Sequence, residues 1–99
     1  MPPAWVYLLR CADGSLYTGW TVDLDARLRR HEAGTASAYT RSRRPVALAL
    51  AVAMPDRRAA RREEARIKAL DRSAKLELIA AARSEVNTGA EHDLPVLLA

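Results

Sequence analysis

Two short segments near the N-terminus constrain the fold of this chain more than anything else in it. Trp5-Val6-Tyr7-Leu8-Leu9 and Leu16-Tyr17-Thr18-Gly19-Trp20 are rich in strand-forming residues, and Asp13-Gly14 lies between them, so they read as the arms of a β-hairpin. The length of the turn decides what the hairpin can do. With Asp13-Gly14 alone as the loop, Tyr7 faces Trp20, and alternation sends Tyr7 and Tyr17 to opposite faces of the sheet. With Ala12-Asp13-Gly14 as the loop, Cys11 pairs with Ser15, Tyr7 faces Gly19, and Tyr17 faces Leu9. The tyrosines then share a face as diagonal neighbours, roughly 7–8 Å apart along the backbone. Three-residue loops commonly end in a left-handed glycine, a place Gly14 fills without steric cost, and this is the register expected.

Downstream, Asp23 is a good N-cap, Leu24 and Leu28 repeat at helical spacing and Gly34 supplies a stop, so residues 24–33 read as a helix. Residues 34–45 lack periodicity and read as an exposed loop carrying Arg41, Arg43 and Arg44. From Val46 to Val52 large and small side chains alternate between Pro45 and Pro55, predicting a strand with Val46, Leu48, Leu50 and Val52 on one face and alanines on the other. Asp56 can cap a helix over residues 57–70, and Asp71 or Ser73 another over about 74–83. The acidic tail, residues 84–99, contains Gly89, His92 and Pro95 and reads as loosely ordered beside a single domain spanning residues 1–83. The order is ββαβαα, an α+β chain.

The nine-residue apolar run from Val46 to Met54 is far short of the ~20 residues a bilayer span needs, and the lone Cys11 reads as a packing residue. No membrane association is expected, and the cytoplasm is the compartment these features suit. The net charge of +4 is unevenly placed: residues 1–40 balance, residues 41–75 carry eleven basic and four acidic groups, and residues 76–99 carry one and four. A basic stretch of that density suits a polyanion, because each neutralised phosphate releases a counterion. It equally suits a solubilising face, and charge alone does not choose.

Val6-Tyr7-Leu8 and Tyr17-Thr18-Gly19 look like degenerate forms of the tripeptides that name the GIY-YIG nuclease superfamily. They are followed by Asp23-Leu24-Asp25-Ala26-Arg27-Leu28-Arg29-Arg30-His31, by Tyr39-Thr40-Arg41-Ser42-Arg43-Arg44-Pro45 and by Glu64-Ala65-Arg66-Ile67-Lys68. This ordered set resembles the small standalone, YhbQ-like GIY-YIG proteins over residues 4 to about 80. The resemblance implies a three-stranded antiparallel sheet flanked by helices. It also implies a metal-dependent nuclease, with DNA ahead of RNA as substrate and DNA repair or processing as the setting. The active-site residues it implies are Tyr7, Tyr17, Arg27 and His31, with Glu64 as the ligand of one Mg²⁺ or Mn²⁺ ion. Trp20, directly after the second tripeptide, departs from the pattern and bears on access to the site.

Phosphodiester hydrolysis needs an activated water, positive charge for the pentacovalent phosphate and help for the leaving oxygen, and this set supplies each. A tyrosine, supported by His31, would take the proton from water, which requires nearby positive charge to favour the phenolate. Helical periodicity does not separate Glu63 from Glu64; the resemblance names Glu64. Lys68, one turn on, reads as an ion-pair partner of Glu64 or a phosphate contact. Tyr39, Thr40, Arg41, Arg43 and Arg44 read as a nucleic-acid-binding loop. Two rivals stay open: a non-catalytic nucleic-acid-binding module of the same fold, and an interaction protein docking an acidic partner.

Overall fold

The computed structural model describes residues 3–87 and 96–98. Strands β1 (Ala4–Arg10) and β2 (Leu16–Thr21) form the expected hairpin, in the register of the three-residue loop: Tyr7 is opposite Gly19 and Tyr17 opposite Leu9. Cys11 donates its N–H to the Ser15 carbonyl at 2.9 Å, Gly14 donates to the Cys11 carbonyl at 2.9 Å, and Gly14 has φ 85°. Asp13 Oδ1 accepts from the Ser15 amide at 3.0 Å, so the turn carries its own side-chain brace.

Strand β3 (Ala47–Met54) runs antiparallel to β1 on its other side. Strict alternation does not survive in it. A bulge opposite Leu8 and Leu9 pairs Leu8 with Leu50 and Leu9 with Leu48, which leaves Ala49 as the extra residue. Ala49 and Leu50 therefore join the core cluster where Leu48 was expected. The three antiparallel strands are as the sequence predicts, and a fourth is added: β4 (Val96–Leu98) lies parallel to β3, giving the order β2-β1-β3-β4. Strand β2 is left as an open edge.

Helix α1 (Leu24–Ala33) has Asp23 as N-cap, accepting from the Ala26 amide, and a left-handed Gly34 as C-cap with φ 80°. Part of the expected loop is helical: α2 (Ala38–Arg41) is a single turn whose first residues are capped by Ser37, which accepts from the Thr40 amide. Helix α3 (Arg57–Lys68) starts at Asp56, whose Oδ1 accepts from Ala59 at 2.7 Å. Helix α4 (Arg72–Asn87) starts after Asp71, which accepts from Ala74 at 2.9 Å. Helix α4 continues past the expected end near residue 83, and β4 lies in the expected tail; residues 88–95, with His92, and residue 99 are outside the described residues.

Register and burial divide the sheet into two working faces. Val6, Leu8 and Leu50 pack with Ala60 and Ile67 of α3 and with Ile79 and Ala82 of α4. These apolar contacts supply most of the stabilisation, at about 25 cal/mol per Å² of buried apolar surface. Tyr7, Gly19 and Ala51 stand opposite one another on the other face, with α1 and α2 above Tyr7 and Tyr17. The functional side chains gather on that face and around the β2 edge.

Candidate active site

Tyr7 is 1% exposed and its hydroxyl lies 2.8 Å from His31 Nε2. Gly19 makes the position possible, because a Cβ there would stand 2.5 Å from the Tyr7 hydroxyl oxygen. The Tyr7 and Tyr17 ring centroids are 6.4 Å apart, and each ring meets the His31 imidazole edge-on at 5.6 Å and 5.3 Å. The hairpin register thus does bring both tyrosines to one site, with a histidine two turns into α1 between them.

His31 is fully buried, and its second nitrogen, Nδ1, lies 2.8 Å from Thr40 Oγ1. Thr40 Oγ1 in turn lies 2.9 Å from Ser37 Oγ. A chain of hydrogen bonds therefore runs Tyr7, His31, Thr40, Ser37 through the interior. Thr40, expected in solvent as a nucleic-acid contact, is 0% exposed. The Ser37 cap winds residues 38–41 into a turn of helix, and that turn points Thr40 inward.

Burial sets the protonation of this chain. It pushes the Tyr7 phenol up to about 12; Tyr17 and the charge of Glu64 act the same way, and the Arg27 guanidinium opposes them. Positive charge near Tyr7 is present as expected, yet it does not win, because desolvation of a phenolate outweighs it. Burial also holds the His31 imidazolium below its ordinary 6.5, helped by the charges of Arg27 and Arg30, so His31 is neutral at pH 7.

Glu64, on α3, is half-buried in a groove of about 840 Å³ that it shares with Trp20 and arginines of α3 and not with the two tyrosines, although its charge is felt at Tyr7. Its neighbour Glu63 is committed elsewhere: Arg66 donates Nε and Nη2 to its two carboxylate oxygens, each at 2.8 Å. Glu64 carries no such pair among the described residues, including the one expected with Lys68. Lys68 instead lines a smaller groove with Tyr17, Thr18, Tyr39 and Lys75. Thr18 Oγ1, buried beside it, has no hydrogen-bond partner among the described residues.

The basic loop is less free than its sequence implies. The Arg43 guanidinium lies 3.8 Å over the Tyr39 ring, donates to Asp13 Oδ2 at 3.2 Å and to the Tyr39 carbonyl at 2.9 Å. Arg44 donates to the Arg41 and Glu32 carbonyls, each at 3.1 Å. Tyr39 is 38% exposed and stacks on Tyr17 at 5.9 Å, which leaves it a limited surface for a base. Arg41 is the exposed arginine of this loop without a side-chain bond among the described residues. Sequence reasoning missed Ser37 and the α3 arginines, Arg57, Arg58, Arg61 and Arg62. The repeated Arg-Arg pair ahead of Glu63-Glu64 was their signal.

What the described residues offer a hard divalent cation is a single carboxylate, Glu64. Among the described residues no cluster of three or more His, Cys, Asp or Glu side chains exists, and Glu64 stands as an uncommitted carboxylate at the edge of a groove. Mg²⁺ is commonly bound in this way, through one or two carboxylates, several waters and the substrate phosphate.

Residues 3–77 match the family described as the GIY-YIG catalytic domain. A UPF0213 protein of Streptococcus sanguinis is 49% identical over 76 residues, covering 77% of this chain and 87% of that one. A UPF0213 protein of Syntrophus aciditrophicus is 44% identical over 80 residues, covering 80% and 92%. The solution NMR structure of a UPF0213 protein from Bacillus halodurans superposes with a TM-score of 0.55 at 35% identity, over 88% of this chain and 97% of that one. The chain thus belongs to the GIY-YIG family, in its UPF0213 branch.

Proposed function

We propose that the protein is a metal-dependent phosphodiesterase that hydrolyses nucleic acid, DNA ahead of RNA, in the cytoplasm, with DNA repair or processing as its setting. One observation carries this reading: the Tyr7 hydroxyl is held 2.8 Å from a buried neutral imidazole, within reach of the fields of Arg27 and Glu64. Packing alone does not call for a phenol bonded to an imidazole with a guanidinium and a carboxylate close enough for their charges to be felt.

The chemistry follows from the protonation states. A phenol this hard to ionise acts as a base only if its own proton leaves as another arrives. The Tyr7 O–H donates to His31 Nε2, and its oxygen lone pair accepts the proton of an attacking water as the phenolic proton passes to the imidazole. The step takes Nδ1 as the protonated nitrogen, donating to Thr40 Oγ1 while the Thr40 hydroxyl donates to Ser37, so that Nε2 is free to receive. Arg27 supplies positive charge for the developing pentacovalent phosphate, and Tyr17 flanks it. When bound at Glu64, a divalent cation polarises the phosphate and eases departure of the leaving oxygen. Residues 1–83 form the catalytic unit in this reading.

The test is incubation of the purified protein with labelled single-stranded, duplex and branched DNA and RNA in Mn²⁺ or in EDTA. Cleavage in Mn²⁺ that stops in EDTA is expected. No cleavage of any of these substrates would replace the enzyme by a binding module of the same fold.

A further inference from the structure

Helix α3 carries a charge arrangement that its own fold does not explain. Arg57, Arg58, Arg61 and Arg62 occupy its first half, with no acidic residue in the first turn. Like charges four residues apart repel, here Arg57 with Arg61 and Arg58 with Arg62. Arg57 and Arg58, in the first turn, also oppose the helix dipole, which the Asp56 cap offsets with a single charge. None of the four is paired with a carboxylate among the described residues, whereas Arg43 and Arg66 of the same basic stretch are. A solubilising face is served equally well by mixed charges, and a bound polyanion relieves both repulsions at once.

All four arginines line the groove that holds Glu64 and Trp20. Trp20 sits on β2, the open edge strand, half-buried against the core and bordering the groove with the rest of its surface. Its indole N–H makes no hydrogen bond among the described residues. An aromatic surface beside guanidinium groups is how proteins hold single strands, because every base has a π-face to stack while paired bases keep theirs within the duplex. From Arg57 to Glu64 is seven residues of helix, about 10 Å, enough to follow a short stretch of strand.

We propose that the groove between β2 and α3 is a track for single-stranded nucleic acid, in which Arg57, Arg58, Arg61 and Arg62 hold the phosphates and Trp20 stacks an unpaired base beside Glu64. The proposal rests on the phosphodiesterase reading for its purpose but not for its detection. It makes the substrate a strand, or a junction with an unpaired segment, presented to the site from the α3 side.

The experiment measures binding in EDTA, so that turnover plays no part. The chain has two tryptophans, and Trp5→Phe leaves Trp20 as the only one, excited at the red edge where the three tyrosines do not absorb. Titration with oligothymidylate, oligouridylate and a blunt duplex is expected to give saturable quenching of Trp20 by single strands, with the duplex weaker. Quenching by either sugar, or both, supports the track and identifies which strand it takes. In the Arg61→Gln/Arg62→Gln double variant the salt slope for single strands should fall by about 1.4, at ~0.7 per lost phosphate contact. Thermal melting checks that this surface variant is folded. No quenching, a duplex bound as tightly as a single strand, or an unchanged slope would overturn the proposal. Quenching without cleavage in Mn²⁺ would keep the track and discard the enzyme.

Discussion

Replacing Gly19 by alanine tests the proposed site with a single carbon atom. The new Cβ would stand 2.5 Å from the Tyr7 hydroxyl oxygen, 2.6 Å from Cζ and 3.1 Å from Cε2. Non-bonded heavy atoms settle at about 3.5–4.0 Å, so the end of the ring must retreat by roughly 1 Å. Tyr7 is 1% exposed, which leaves little room to do so. If the hydroxyl swings off His31, the 2.8 Å contact lengthens past the hydrogen-bonding range of about 3.2 Å. Overpacking of this size costs about 1–3 kcal/mol, at roughly 4–8 °C of Tm for each kcal/mol in a domain of this length. Activity should suffer more: a misplacement of about 1 Å costs on the order of 10²-fold, and loss of a general base about 10²- to 10⁴-fold. Gly14→Ala is the control. Its Cβ meets nothing within 4 Å, but φ is 85°, so it loses stability through backbone strain while the site keeps its geometry. Single-turnover cleavage in Mn²⁺ beside a thermal melt separates the two variants. If Gly19→Ala cleaves as well as Gly14→Ala, the Tyr7–His31 contact is not the catalytic element.

Glu64→Gln should abolish Mn²⁺-dependent cleavage while leaving binding in EDTA intact, and Glu63→Gln, which only breaks the pair with Arg66, should retain most activity; cleavage assays showing the reverse ranking would move the metal ligand by one residue. His31 has its proton affinity lowered by folding, so between its native pKa and 6.5 the unfolded chain binds the extra proton. Stability is therefore full above about pH 6.5 and declines as pH falls below it, well before Asp13 and Glu63 matter, since both titrate below their ordinary 3.8 and 4.5. A urea midpoint that stays level from pH 7.5 to pH 5 would contradict this. In the basic loop, Arg41→Ala should flatten the salt dependence of duplex binding by about 0.9, whereas Arg43→Ala should act mainly on thermal stability through Asp13 and Tyr39; binding isotherms at several salt concentrations, with melts, distinguish them.

The hairpin was legible because its information is local. The identity of one turn fixes every pair in the two strands, and only one turn length lets Tyr7 and Tyr17 meet. Helix starts at Asp23 and Asp56 were legible for the same reason, since a cap bonds three residues ahead. The bulge at Ala49 was not, because the alternation from Val46 to Val52 is unbroken in sequence and the partner strand imposes the interruption. The parallel pairing of β4 with β3 joins residues 45 apart, beyond anything a periodicity reports. Among the charges, Glu63 differs from Glu64 by having Arg66 three residues on, a local clue that periodicity alone did not weigh. The loop arginines misled because a guanidinium on a loop looks free until its carbonyl and carboxylate partners, such as Asp13, thirty residues away, are in place.

Thr40 shows why the protonation of the site had to come from the fold. In sequence it belongs to a polar run and reads as surface, yet its burial beside His31 is what makes the site coherent. With a pKa of about 12, Tyr7 is ionised in roughly one molecule in 10⁵ at pH 7, and forming the phenolate beforehand would cost about 7 kcal/mol. That is a large part of any realistic catalytic gain, so a free phenolate is a poor base here however well placed. A neutral imidazole 2.8 Å away removes the need for one, provided its Nε2 is the unprotonated nitrogen. Nδ1 meets the Thr40 hydroxyl, tied in turn to Ser37, and this hydroxyl can take the Nδ1 hydrogen and so allow the tautomer that leaves Nε2 free. The same burial that makes Tyr7 hard to ionise keeps His31 neutral at pH 7, so the imidazole has a lone pair to offer although burial lowers its proton affinity. Desolvation thus penalises the phenolate and the imidazolium alike, and the proton passes to His31 because an imidazole's ordinary pKa of 6.5 lies far closer to pH 7 than that of the phenol.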